Sequence, residues 1–186
     1  MYIEIPFNLN LKSAVAFVSY LLSLPDEKEY VFDFINLRWI EPFSLLYLSF
    51  SINHFVVMHP NARLEAKNYN NTDASNYAGH MGFFKAFRLD VGKKPGEALG
   101  NKNYLPIQIF DLDVWQEEAK LERKYVGEII EKRSREFAQV LTRQSNGDLI
   151  DTLEFVLREI IRNVAEHSGA QQVGFCAQYW PNKCSV

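Results

Sequence analysis

The segment YVFDFIN, Tyr30 to Asn36, constrains the fold more than any other stretch of the chain. It is a continuous run of β-branched and aromatic residues interrupted by a single acid, Asp33. An apolar run without polar alternation marks a strand covered on both faces, and such strands belong to parallel sheets whose crossovers are helices. The flanking segments supply the crossovers. Upstream, SAVAFVSYLLSL places Val15, Val18, Leu21 and Leu22 at helical spacing, with Ser13 as N-cap and Pro25 as the stop. Downstream, IEPFSLLYLSFSINHFVVM opens with Glu41 and Pro42 at a first turn, then stays apolar for several turns. YIEIPF and ARLEAKN read as two more strands, and DASNYAGHMGFFKAF as a helix irregular around Gly79 and Gly82. The order β-α-β-α-β-α predicts an α/β domain, a sheet covered by helices.

Composition limits what such a chain does. With 186 residues, 47% apolar and 23% charged, it fits one ordinary domain or one small domain plus part of another. A net charge of -3 and a pI near 5.8 give no electrostatic drive toward nucleic acid or a membrane surface. The most apolar run is cut by Ser44, Ser49, Ser51, Asn53 and His54, so no membrane span is expected. The start, MYIEIPFNLNLKSA, lacks the basic and apolar regions of a signal peptide. The only cysteines, Cys176 and Cys184, form neither a CxxC pair nor a metal cluster. A cytoplasmic location is expected.

Beyond residue 90 the loop LDVGKKPGEALGNKN is rich in glycine and lysine, but it lacks the GxxxxGK[ST] spacing and the preceding strand of a phosphate loop. It reads as a surface turn. YLPIQIF is a further strand. From Asp111 the composition changes to strong helix formers with charges three and four apart, which predicts a long, mostly exposed connector helix. Its apolar stripe runs through Val114, Leu121, Tyr125, Ile129, Ile130, Phe137, Val140 and Leu141. SNGD breaks it, a second helix runs from near Asp148 to about His167, and VGFCAQYW follows as a strand.

That second helix carries the chief site candidate. Leu153, Val156, Leu157, Ile160, Ile161 and Val164 gather on one side, and Glu159, Asn163 and Glu166 on the other, with His167 at the border. A polar helical face is ordinarily just solvated. Asn163, however, is a poor helix-interior residue, because its side chain competes for backbone hydrogen bonds. A carboxamide oxygen can ligate Mg²⁺, and a carboxylate one turn earlier can hold and deprotonate a water aimed at a phosphate. Both readings stay open on residue type alone.

EIIRNVAEHSGAQQVGF resembles the N-box of the GHKL, or Bergerat-fold, ATP-binding domain, in particular its anti-sigma-factor serine kinases. Glu159, Asn163, His167 and Ser168 match that motif, and QQVGFCAQY lies where its next strand belongs. The resemblance implies that Glu159 orients or activates a water or hydroxyl, that Asn163 ligates Mg²⁺, and that His167 lies near the ATP. The family's later Asp-x-Gly adenine segment and glycine-rich lid have no counterpart before Val186. The expectation is therefore the first helix and strand of a GHKL α/β sandwich in a truncated chain, inactive as it stands.

YVFDFINLRWIEPFSLLYLSF resembles the signature region of the STAS domain, the fold of anti-sigma-factor antagonists. Aligning Ile40, Leu45 and Leu48 with that pattern puts Glu41 on its Asp and Pro42 and Phe43 on its two serines, one of them phosphorylatable. Phe43 cannot take a phosphate; Ser44, one position on, is the only substitute. The two resemblances imply a STAS-like α/β domain over 1–110, a helical connector over 111–145 and an incomplete GHKL-like domain over 146–186. The expected role is a regulatory ATPase or serine protein kinase using ATP and Mg²⁺. Its partner would be an anti-sigma or antagonist-like regulator, and the connector a homodimer seam. The alternative is a non-catalytic interaction and dimerisation module.

Overall fold

The computed structural model describes the backbone of residues 1–86, 88–122 and 125–180. The chain divides into two compact units, Met1–Ala98 and Leu99–Val186.

The first unit is built on three parallel strands in the order β1-β3-β5, with β1 at Tyr2–Glu4, β3 at Glu29–Asp33 and β5 at Arg63–Lys67. Helix α1 (Leu11–Leu22) crosses from β1 to β3, and α2 (Pro42–Met58) from β3 to β5. Two crossovers in the same direction with the usual right hand place both helices on one face of the sheet, and α1 and α2 pack together. That face presents Ile3, Tyr30 and Phe32, all fully buried. Phe55 of α2 meets the rings of Tyr30 and Phe32 edge-on, at centroid distances of 4.8 and 6.3 Å. The opposite face carries Glu29, Asp33, Arg63, Glu65 and Lys67, held side by side by the β3–β5 register. A two-residue parallel pair, β2 (Asn8–Leu9) with β4 (Trp39–Ile40), lies beyond the strand ends.

Local chemistry explains the helix ends. Asn10 caps α1 by accepting from the Ser13 backbone N–H at 3.1 Å, so the cap lies three residues before the Ser13 expected from sequence. Ser13 returns the bond as the other half of a capping box. Pro42 occupies the first turn of α2, where a missing N–H costs nothing. The third helix divides where Gly79 and Gly82 suggested, into α3 (Asp73–His80) and α4 (Phe83–Ala86). Gly92, with φ of +73°, lies against it: a Cβ there would come within 2.8 Å of the Gly79 carbonyl oxygen, and the Lys93 N–H donates to that oxygen at 3.0 Å.

The second unit pairs β6 (Tyr104–Asp111) with β7 (Gln172–Gln178) in an antiparallel sheet. The ladder slips between Leu105 and Gln108, around Pro106, which cannot donate to it. Between the strands in sequence come α5 (Leu112–Glu122), α6 (Val126–Thr142) and α7 (Asp148–His167). The division at Ala98 precedes the boundary expected at 110, because β6 belongs with β7. Nor is 111–145 one connector helix. It breaks at Tyr125, whose extended backbone caps α6 next to Gly127, and α6 packs against α7 inside the unit. Leu112, Trp115, Ile129, Ile130, Ile161 and Val173 form its core. Ile129, Ile130, Phe137 and Val140 of the expected stripe are buried, whereas Val114, Leu121 and Tyr125 are exposed and Trp115 is buried instead. No helix among the described residues is long and apolar enough to cross a membrane.

Candidate functional site

Helix α7 spans Asp148 to His167, and carries Glu159, Asn163 and His167 in its last three turns. It is anchored from α6: the Arg135 guanidinium donates to Glu154, to Asp151 at 3.3 Å and to the Ser145 carbonyl at 3.1 Å. The hydrogen bond to Glu154 holds the Arg135 pKa above its ordinary value. At the far end Ser168 donates to the Val164 carbonyl at 2.6 Å and accepts from the Ala170 N–H, before Gly169 turns the chain at φ of +65° toward β7. The sequence SGA therefore serves as the helix stop.

Packing divides the apolar face read from the sequence. Ile161 is buried and Val164 packs against the same core, but Val156 and Ile160 are 44% and 53% exposed. The exposed apolar residues run alongside the polar ones, since Ile160 lies between Glu159 and Ile161 around the helix.

Glu159 is half-exposed, with its carboxylate 3.8 Å from the Arg158 guanidinium. Arg158 in turn lies over the Phe155 ring at 5.2 Å. Asn163 is exposed, and its carboxamide has no hydrogen bond among the described residues. His167 is exposed in the last turn and is not without a partner. The helical pitch sets Glu159 and Asn163 about 6 Å apart and on one face. The Glu166 side chain, on the same polar face by sequence, lies outside the described residues.

No group of three or more His, Cys, Asp or Glu among the described residues is arranged to hold a metal ion. Mg²⁺ keeps several waters and takes one or two protein ligands together with nucleotide phosphates.

Ser44 is fully buried, and its Oγ has no partner among the described residues, so a phosphate can reach it only if α2 moves. Phe43 is exposed and stacks on Tyr47 at 5.4 Å. Asp33 is buried at the end of β3, where it accepts hydrogen bonds from the Asn68 side chain at 2.7 Å, the Ile35 N–H at 2.9 Å and the Tyr2 hydroxyl. Asn68 holds a left-handed φ of 54°, which asparagine tolerates. This network was not read from the sequence; an asparagine-rich NYNN just past a strand was its signal. His59 is buried at the end of α2, with Nδ1 2.6 Å from Asp26 and 3.2 Å from the Tyr30 hydroxyl. On β7, burial pushes the Cys176 thiol up to about 12, too high for a nucleophile at neutral pH. Cys184 lies outside the described residues.

Comparison with protein-family models, with curated proteins and with solved structures found no match. The functional reading rests on the geometry of α7 and on the motif it carries.

Proposed function

We propose that α7 is the Mg-ATP helix of a GHKL-type ATPase or serine protein kinase, and that the first unit is its STAS-like regulatory partner domain. The observation that carries this reading is Asn163: an exposed, mid-helix asparagine with no hydrogen-bond partner among the described residues, one turn after Glu159. Asparagine costs helix stability and is normally retained where its side chain bonds to something. Packing α7 on an antiparallel strand pair is also compatible with the opening of a helix-and-sheet sandwich.

In this reading Asn163 offers its carboxamide oxygen to Mg²⁺, and Glu159 accepts a proton from the attacking water or hydroxyl. His167 stands one turn further, near the nucleotide. Mg²⁺ would supply charge neutralisation on the phosphates. The Arg158 guanidinium, 3.8 Å from Glu159, would help to hold that carboxylate in place. The adenine-reading and lid segments that the family carries further along its chain would complete the site, in a cytoplasmic protein that answers to an anti-sigma or antagonist-like regulator.

The test is calorimetric titration of a C-terminally extended protein with Mg-ATP, wild type against Asn163→Ala. Lost affinity and turnover in the mutant are expected; equal values in both would overturn the assignment. A second reading, a non-catalytic interaction module, is favoured by the exposure of Val156 and Ile160 on the same helix. It expects binding of a protein partner that Val156→Glu abolishes and ATP leaves unchanged.

A further inference from the structure

The outer surface of the first unit is inverted relative to an ordinary two-layer α/β domain. Helices that cover a sheet normally turn a charged face to water. Here α2 contains no charged residue at all, and α1 contains one, Lys12. Charged residues of this unit stand instead on the far side of the sheet, as in Glu29, Arg63, Glu65 and Lys67, and in its loops.

The residues of α2 that face away from the core form a pattern of their own. Phe43, Tyr47, Phe50, His54 and Val57 are spaced by alternating steps of four and three residues, the period of a helix-pairing seam. Phe43, Phe50 and Val57 are 47%, 36% and 66% exposed. The Phe43–Tyr47 stack pre-organises one end. This stripe is separate from the core residues Leu45, Leu48, Ile52 and Phe55, which are fully buried. The helix thus has two apolar faces, one more than its own unit uses.

We infer that this outer face of α2, flanked by α1, is a homodimer interface in which α2 pairs antiparallel with α2 of a second copy about a twofold axis near Phe50. Three observations choose a second copy over another occupant. The α2 stripe itself carries no formal charge and so offers nothing to steer a charged partner, while an apolar stripe can pair with its own copy. A twofold contact needs a self-complementary patch, and the stripe is centred on Phe50, with Phe43 and Val57 equally far along the helix on either side. The area is also adequate. An aromatic side chain covers roughly 150–250 Å² when fully buried, so the exposed parts of the α2 stripe with Leu11 and Val15 of α1 amount to on the order of 500 Å² per copy. That is below the roughly 800 Å² per partner of a standard interface but reaches the total of about 1,000 Å² expected of a weak, reversible one, and the surrounding serines would form its polar rim. This interface places dimerisation in the first unit, not in the 111–145 segment, and does not depend on the ATP reading.

Sedimentation velocity of the full chain over a concentration series tests it. The wild type is expected to dimerise reversibly. Phe50→Glu is expected to raise the dissociation constant by about a hundredfold or more, as a carboxylate buried in an apolar seam should. Val57→Lys, at the most exposed position of the stripe, repeats the test with little risk to folding, and far-ultraviolet circular dichroism checks both variants. In a Cys176→Ser, Cys184→Ser background, Phe50→Cys should cross-link to itself under mild oxidation. A monomeric wild type would overturn the proposal, as would a dimer that survives both charged variants. So would a dimer lost to Ile160→Glu on α7 instead, or a monomer that floats with neutral phosphatidylcholine vesicles.

Discussion

Asn68 and Asn163 show how differently the two units use the same side chain. In the first unit Asn68 completes a closed network: its amide donates to Asp33, which also accepts from Tyr2 and from the Ile35 backbone. Asp33 and Asn68 are thus tied into the fold, with Asn71 donating in turn to Asn68 at 3.0 Å. In the second unit Asn163 lies on an open helix face with nothing to bond among the described residues. Asn68 is tied into the fold by its partners, whereas the exposed Asn163 carboxamide is open to water or to a ligand.

The contrast can be broken most forcefully from the second unit's core. Trp115→Ala should cost about 3–5 kcal/mol, as for other large-to-small core changes, and should unfold the second unit while leaving the first intact. Urea unfolding followed separately by hydrogen exchange of β3 and of β7 should resolve two transitions, and a single shared transition would show the units to be coupled. Asp33→Ala is the matching experiment in the first unit. By orphaning the partners of a buried carboxylate it should cost about 2–3 kcal/mol and lower the stability of β3 protection. Gly92→Ala should follow at roughly 1–3 kcal/mol, since a strained left-handed φ adds to a Cβ close to the Gly79 oxygen; thermal denaturation reads it.

Cys176 gives a smaller, pH-dependent effect. Its thiol is raised in the folded state from 9.0 to about 12, so the folded chain keeps a proton that the unfolded chain releases. Its stabilisation is complete below pH 9 and is lost as pH rises toward 12. Iodoacetamide labelling in a Cys184→Ser background at pH 8 should accordingly be slow when folded and fast in urea. The smallest change expected is the most informative about the comparison. Asn163→Ala should leave stability unchanged or raise it by about 0.5 kcal/mol, alanine being the better helix former. A loss of 1 kcal/mol or more would mean that Asn163 holds the fold together, as Asn68 does.

Much of the architecture was legible because it depends on local pattern. The apolar YVFDFIN became the central strand, Pro42 opened α2, and the helix from Asp148 to His167 was bounded by SNGD and SGA. What escaped depends on contacts between distant segments. Nothing in YLPIQIF tells that it pairs with β7 rather than with the strands before it, so the boundary fell late. The break at Tyr125 lies in a run of strong helix formers with Gly127 as its only local signal. Periodicity found the apolar side of α7, but it has no means of showing that Val156 and Ile160 would stay exposed while Ile161 became core. For the site, residue type and spacing singled out Glu159, Asn163 and His167, and the structure added that the exposed Asn163 carboxamide makes no hydrogen bond among the described residues. Ser44 is buried for a reason invisible to spacing: its helix turns it inward.

The pairing of β6 with β7 governs how the chain is made. All of α5, α6 and α7 lie between the two strands, so on the ribosome β6 emerges well before its partner β7. The parallel sheet of the first unit is complete by Lys67 and can form while the second unit is still being synthesised. During that interval β6 is an unpaired edge with Leu105, Ile107 and Ile109 to offer to any neighbour. A gene fragment ended at residue 145 would prolong that interval indefinitely, and should be harder to keep in solution than either the whole chain or residues 1–98.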